Sequence, residues 1–82
     1  MNFPLKPVVT EKAVMMIETQ NILTFKTGKE ANKDLIRKEV ESLFSVKVAR
    51  VRTLVKDNKK FAYVKLKKEF PAIDVATKLG LM

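Results

Sequence analysis

Lysine and arginine side chains are the residues of this sequence whose types and spacing could do chemistry. Between residues 47 and 68 the chain holds nine Lys or Arg and a single acid, Asp57, for a net charge of +8. The remaining residues hold eight basic and eight acidic groups, which cancel. Because ammonium and guanidinium groups bind phosphates, this cluster predicts a polyanionic partner. Nucleic acid is favoured; a membrane surface, or charge that serves solubility alone, are the alternatives.

The cationic stretch consists of two β-rich runs on either side of Asp57 and Asn58. If these two residues form a hairpin loop, counting outward pairs Lys56 with Lys59 and separates an apolar face from a basic one. The predicted pairs on the apolar face are Val55–Lys60, Thr53–Ala62, Val51–Val64 and Ala49–Leu66. The predicted pairs on the basic face are Leu54–Phe61, Arg52–Tyr63, Arg50–Lys65 and Val48–Lys67.

Repulsion and aromatic rings both suggest what the basic face binds. Arg50 opposite Lys65 destabilises the isolated hairpin, and a polyanion across that face would remove the repulsion. Tyr63 could stack on an unpaired base or shield its neighbour Arg52, and Phe61 is expected to pack. The lysines beside the turn are expected to contact phosphates, with a solvated tip as the alternative.

The residue types also exclude most catalytic chemistry. The chain has no Cys and no His, which removes the thiol nucleophile, the disulfide, the usual general base and the usual zinc ligands. A phosphatase built on Arg50, Arg52 and Asn58 is the strongest enzymatic alternative, but no glycine-rich loop accompanies these residues. We therefore expect no enzyme, no metal or other cofactor, and no small-molecule substrate.

No apolar run approaches the roughly 20 residues that a membrane span needs, and the N-terminus does not resemble a signal peptide. We therefore expect a cytosolic chain with no membrane insertion.

The elements that position the cations follow from caps and periodicity. Val8 and Val9 are expected to form a short edge strand, and Thr10 to cap a helix that ends near Thr19. A strand is expected over 21–27 with Leu23 and Phe25 in the core.

The second half of the chain continues this alternation of helices and strands. Asn32 is expected to cap a second helix before the hairpin, and Pro71 to lie in the first turn of a third. Gly80 is expected to end that helix, with Leu81 folding back. The whole chain, 1–82, is predicted to be one α+β domain of order (β)αβαββα. Its mainly antiparallel sheet is predicted to have three to four strands, with helices packed against it. The second hairpin strand, 60–67, is expected to lie between the strand 21–27 and the first hairpin strand, 46–55.

Four segments in order carry a resemblance to a known family. They are Pro7 to Ala13 (PVVTEKA), Ala31 to Val48 (ANK…LFSVKV), Val51 to Leu54 (VRTL) and Ala62 to Leu66 (AYVKL). The chain resembles the universal large-subunit ribosomal protein number twenty-three, the L-twenty-three family, in its archaeal-like form with a short hairpin. Two residues depart from the usual pattern: Ser45 stands where Gly is common, and Arg52 where Asn is common.

The resemblance implies a structural, cytoplasmic component of the large ribosomal subunit that binds rRNA beside the polypeptide exit. It also implies contact with ribosomal protein number twenty-nine, and docking of signal recognition particle and other exit-site factors. Resemblance and charge pattern together predict an rRNA-binding set of fourteen residues: Lys6, Thr10, Glu11, Lys12, Lys47, Arg50, Arg52, Thr53, Lys56, Lys59, Lys60, Tyr63, Lys65 and Lys67. The acids predicted to dock protein partners are Glu18, Glu39 and Glu41. The alternatives are a free-standing regulatory RNA-binding module and a protein–protein adaptor.

Overall fold

Three helices and four strands follow one another in the computed structural model, which describes residues 5–80. Their order is β-α-β-α-β-β-α, as predicted. The elements are β1 Leu5–Pro7, α1 Glu11–Gln20, β2 Ile22–Thr27, α2 Lys33–Phe44, β3 Val48–Lys56, β4 Lys59–Leu66 and α3 Ala72–Lys78.

The strands form one sheet in the order β1-β2-β4-β3, and every neighbouring pair is antiparallel. The prediction that the second hairpin strand lies between the other two long strands is confirmed. β4 thus pairs with β2 on one side and β3 on the other, which places the hairpin's cations across the middle of the sheet.

Side-chain caps define where the first two helices begin. The Thr10 hydroxyl accepts a hydrogen bond from the Ala13 N–H at 3.1 Å, and the Asn32 Oδ1 accepts one from the Leu35 N–H at 2.8 Å. Both caps confirm the predictions from sequence, because these side chains satisfy amides that the first helical turn leaves free.

The third helix differs slightly from the expectation. Pro71 is its N-cap in an extended conformation, one position before the expected first turn. Gly80 follows the helix with a φ of 77°, as expected for a residue that ends a helix. The expected fold-back of Leu81 lies outside the described residues.

The first strand lies three residues earlier than predicted. β1 spans Leu5–Pro7. Just after it, the Val8 N–H donates a hydrogen bond to the Thr24 carbonyl at 3.0 Å. The chain must then turn to present Thr10 as a helix cap. α1 packs beside β2 from there on, so the predicted strand at Val8 and Val9 is wrong.

The core lies on the face of the sheet that α2 and α3 cover. Phe25 stacks on Phe44 of α2, with ring centroids 6.3 Å apart. Leu23 and Phe25 are buried, as predicted. The largest fully buried side chains are Phe25, Leu23, Ile36, Leu66, Val40, Val64 and Val75. The packing leaves the other face of the sheet without α2 and α3.

The side chain of Asn21 links the α1–β2 junction to the segment between β4 and α3. Asn21 ends α1 in the left-handed conformation, with a φ of 58°. Its Nδ2 donates to the carbonyls of Leu66 at 3.1 Å, Lys67 at 3.3 Å and Phe70 at 3.2 Å, and its Oδ1 accepts from the Ala72 N–H. The α1–β2 junction therefore anchors the start of α3.

Candidate nucleic-acid interface

The hairpin turn has the geometry that its two residues predicted. Asp57 and Asn58 have φ values of 52° and 61°, which is the left-handed pair that a two-residue type I′ turn requires. The register from Lys56–Lys59 to Arg50–Lys65 follows the predicted pairs. The alternation of the apolar and basic faces over this length is therefore confirmed.

A β-bulge changes the register at the far end of the hairpin. Val48 pairs with Leu66, where uninterrupted alternation predicted Val48–Lys67 and Ala49–Leu66, so those two predicted pairs are wrong. The extra residue turns Val48 into the core, where it is 7% exposed. The Val48 N–H also donates to Glu41 Oε2 at 3.0 Å, which ties the start of β3 to α2.

Cations from all four strands share the face that α2 and α3 leave uncovered, which we call the basic face. Arg50 and Arg52 come from β3 and Lys65 from β4, as predicted. The register also places Lys6 of β1 and Lys26 of β2 on this face. The basic face carries Lys6, Lys26, Arg50, Arg52, Lys56, Lys59, Tyr63 and Lys65.

Like charges lie directly opposite each other at three places on the basic face. The cross-strand pairs are Lys6–Lys26, Arg50–Lys65 and Lys56–Lys59. Within residues 5–80 the only ion pair joins Arg37 to Asp34 at 3.6 Å, on the surface of α2. Opposed like charges destabilise a sheet, so the face is suited to a ligand that supplies negative charge.

Lys26 is the cation that the sequence interpretation missed. The signal was present, because Leu23 and Phe25 point into the core and alternation then turns Lys26 to the other face. In the structure it is half-buried opposite Lys6 and next to Phe61 of β4.

Two residues of the predicted rRNA-binding set lie on the opposite side of the sheet. Thr53 pairs with Ala62 on the core side. Lys60 also lies there, and its Nζ donates to the carbonyl of Ala31 and to that of Lys29 at 3.5 Å. This lysine holds the loop before α2, which differs from the solvated tip considered as an alternative. Whether either residue contacts RNA stays a prediction.

The other predicted contacts lie outside the strands of the basic face, and one of them does not adjoin that face. Lys47 and Lys67 are exposed beyond the bulge, where the Lys67 N–H donates to the Lys47 carbonyl at 3.0 Å. Lys12 lies on α1 and is exposed, whereas the Thr10 side chain is engaged as the helix cap. Glu11 lies on the side of α1 that faces away from the basic face, next to Met15 and Glu18.

α1 forms a groove with the basic face, which we call the tyrosine groove. Lys12 and Met16 form its helical wall, and Leu54, Phe61 and Tyr63 form its wall on the sheet. The groove has a volume of about 310 Å³. It continues into a neighbouring depression that Arg52 and Tyr63 line together. Tyr63 is half-buried. Arg52 lies opposite it across β3 and β4, so the structure brings the predicted aromatic and arginine residues together.

A second groove, here called the acidic groove, lies on the other side of α1. Its exposed apolar residues are Val9 and Met15, and its acids are Glu11 and Glu18. α1 therefore separates a cationic, aromatic groove from one that is apolar and acidic.

The three acids predicted to dock partners are not gathered at one surface. Glu18 lines the acidic groove, but Glu39 and Glu41 lie on α2 and line no part of it. Both α2 acids are half-buried. The carboxylate of Glu41 is engaged with Val48, so it has a structural role that periodicity did not reveal.

Within residues 5–80, no cluster of three His, Cys, Asp or Glu side chains is placed to hold a metal ion. None of the helices in that range has the length and apolarity needed to cross a membrane.

Comparison with known proteins identifies the family of the chain. The family described as Ribosomal protein L23 matches residues 2–74. Among curated proteins, the large ribosomal subunit protein uL23 of Picrophilus torridus is 41% identical over 81 residues, which cover 99% of this chain and 99% of that protein. A match of this length and identity includes every helix and strand described above. The chain therefore belongs to the ribosomal protein L23 family.

Proposed function

We propose that the chain is a structural constituent of the cytoplasmic large ribosomal subunit that binds large-subunit rRNA through its basic face. The observation that carries this proposal is the arrangement of three opposed like-charge pairs on one face. The chain's whole excess charge of +8 belongs to the hairpin and its flank. A phosphate backbone lying across the face would neutralise cations that repel one another in the free protein.

The mechanism is attachment by charge and shape. Each Lys or Arg that meets a phosphate releases counterions, and the rigid sheet fixes the spacing of these contacts. Arg50 and Arg52 can bind phosphates bidentately, whereas the lysines act as point charges. A role of this kind needs no catalytic group, in keeping with the family.

The proposal includes the position of the protein beside the polypeptide exit, as the resemblance implied. In that position the acidic groove would face outward and take part in docking signal recognition particle and other exit-site factors, with ribosomal protein number twenty-nine as a neighbour. The separation of the two grooves by α1 supports this arrangement, since one side can attach to RNA while the other stays available. We propose that residues 1–82 act as a single domain in this role.

The test is binding of the full chain to a large-subunit rRNA fragment at increasing salt. We expect the logarithm of the association constant to fall linearly with the logarithm of salt concentration. The magnitude of the slope should be about 0.7–0.9 for each phosphate contacted. Binding that does not change with salt would contradict the mechanism. Cosedimentation with large subunits is also expected; RNA binding without cosedimentation would favour a free-standing regulatory module.

A further inference from the structure

We infer that the tyrosine groove receives one unpaired, unstacked base of the bound RNA. This inference rests on the proposed function and specifies which part of the RNA is recognised there. The basic face alone accounts for phosphate contacts, but it does not account for an apolar, aromatic groove among the cations.

The walls of the groove suit a flat aromatic ring. Phe61 and Tyr63 are half-buried, and Leu54 is 46% exposed although it is a large apolar residue. The groove has a volume of about 310 Å³, which lies at the small end of the range of roughly 300–1,000 Å³ seen for small-ligand sites. A base inserted between Met16 and Tyr63 would cover apolar surface that water contacts in the free protein.

Thr24 of β2 forms part of the lining of the groove. It is 8% exposed, and its Oγ1 has no hydrogen-bond partner. Thr27, on the core face and outside the groove, has an unpartnered buried hydroxyl too, so Thr24 contributes to the shape of the groove and does not identify its ligand.

The charges around the groove favour RNA over a protein side chain. Lys12 and Lys56 line its rim, Arg52 lies in the adjoining depression, and no Asp or Glu lines either one within residues 5–80. RNA supplies a flat aromatic face and a phosphate next to it on the same nucleotide. The acidic groove on the other side of α1 lacks this combination of aromatic rings and cations.

Tyr63 makes a direct experiment available, because the chain contains one Tyr and no Trp. We would titrate the full chain with the rRNA fragment and with a fully paired RNA duplex of the same length, following tyrosine emission. The fragment should quench Tyr63 by stacking, whereas the duplex should bind without quenching.

Substitutions separate base contact from phosphate contact. Leu54→Ala should weaken binding of the fragment about five- to tenfold and leave its salt dependence unchanged, because the lost contact is not ionic. Val55→Ala is the matched control, since Val55 is the next residue, is 62% exposed and lies on the other face. It should bind as the unchanged protein does.

The outcomes distinguish this inference from the proposed function. If the fragment binds with the expected salt dependence but Tyr63 is not quenched, and Leu54→Ala matches Val55→Ala, the inference fails and the function stands. If the fragment does not bind, the proposed function fails. A benzophenone side chain in place of Leu54 gives a further readout in assembled subunits. Crosslinks to RNA would support the inference, and crosslinks to protein alone would overturn it.

Discussion

Arg50 and Lys65 lie directly opposite each other across β3 and β4, on the face of the sheet that α2 and α3 leave uncovered. Two more like-charge pairs, Lys6–Lys26 and Lys56–Lys59, share that face. A free protein does not gain stability from such an arrangement, since each pair repels. The arrangement favours a bound polyanion, and its cost in the free protein can be measured.

Replacing one member of the pair should separate stability from binding. Lys65→Glu places a carboxylate opposite Arg50, so we expect the free energy of unfolding of the free protein to rise by about 0.2–1 kcal/mol. The affinity for the rRNA fragment should fall at low salt. Urea denaturation and filter binding measure the two quantities. Lys38→Glu makes the same change of charge at an exposed position of α2 and should weaken RNA binding much less. A clear loss of stability in Lys65→Glu would show that Lys65 supports the fold.

Arg52 should contribute a phosphate contact that the salt dependence can count. In Arg52→Ala the slope of log association constant against log salt should decrease in magnitude by about 0.7–0.9, the contribution of one phosphate. Arg37→Ala is the matched control, because Arg37 lies on α2 beside Asp34. If both variants change the slope equally, the basic face has no special role in binding.

Glu18 offers a test of the acidic groove. Glu18→Lys reverses a charge in that groove while leaving the basic face untouched. We expect purified large subunits carrying this variant to assemble normally and to bind signal recognition particle more weakly, as measured by cosedimentation. Glu30→Lys, at an exposed turn outside the groove, is the control. Unchanged docking in Glu18→Lys would assign the factor surface elsewhere.

Asn21 should be among the most sensitive positions of the fold. Asn21→Ala removes the hydrogen bonds to three carbonyls and to the Ala72 N–H, and places Ala at a φ of 58°. We expect a loss of about 2–4 kcal/mol in the free energy of unfolding. Asn21→Gly relieves the backbone strain alone and should recover about 1 kcal/mol relative to Ala. Equal stability of the two variants would mean that backbone conformation contributes little.

Glu41 is expected to act on stability rather than on partner docking. Glu41→Ala removes the acceptor for the Val48 N–H and should destabilise the protein by about 1–2 kcal/mol. Hydrogen exchange at the Val48 amide should become faster. Glu39→Ala, two residues earlier on α2, should change neither quantity. Unchanged exchange at Val48 in Glu41→Ala would show that the contact is not maintained in solution.

The predictable parts of the structure were those with a local cause. A two-residue turn at Asp57 and Asn58 sets the register of the hairpin, so the faces of Arg52, Tyr63 and Lys65 followed by alternation. Thr10 and Asn32 indicated helix starts because capping involves residues only three positions apart.

The errors and omissions have a tertiary cause. The bulge at Ala49 arises because Val48 gains a buried site and a hydrogen bond from its N–H to Glu41, neither of which alternation contains. The tyrosine groove depends on where α1 lies relative to the sheet, and the spacing of Met16 on its helix carries no information about that position. Lys60 faces the core side as the register predicted, but its bonds to the loop before α2 depend on long-range packing.

The strand order has a consequence for how this chain folds as it is synthesised. A nascent chain that ends at Lys56 contains β2 and β3, yet it lacks the strand with which both of them pair. Sheet closure must wait until Leu66 has emerged, and α3 is anchored only after that. Until then the unpaired edges of β2 and β3 are open to other chains. The sheet can therefore close only after β4 has been synthesised, although α1, α2 and the β1–β2 pair can form earlier.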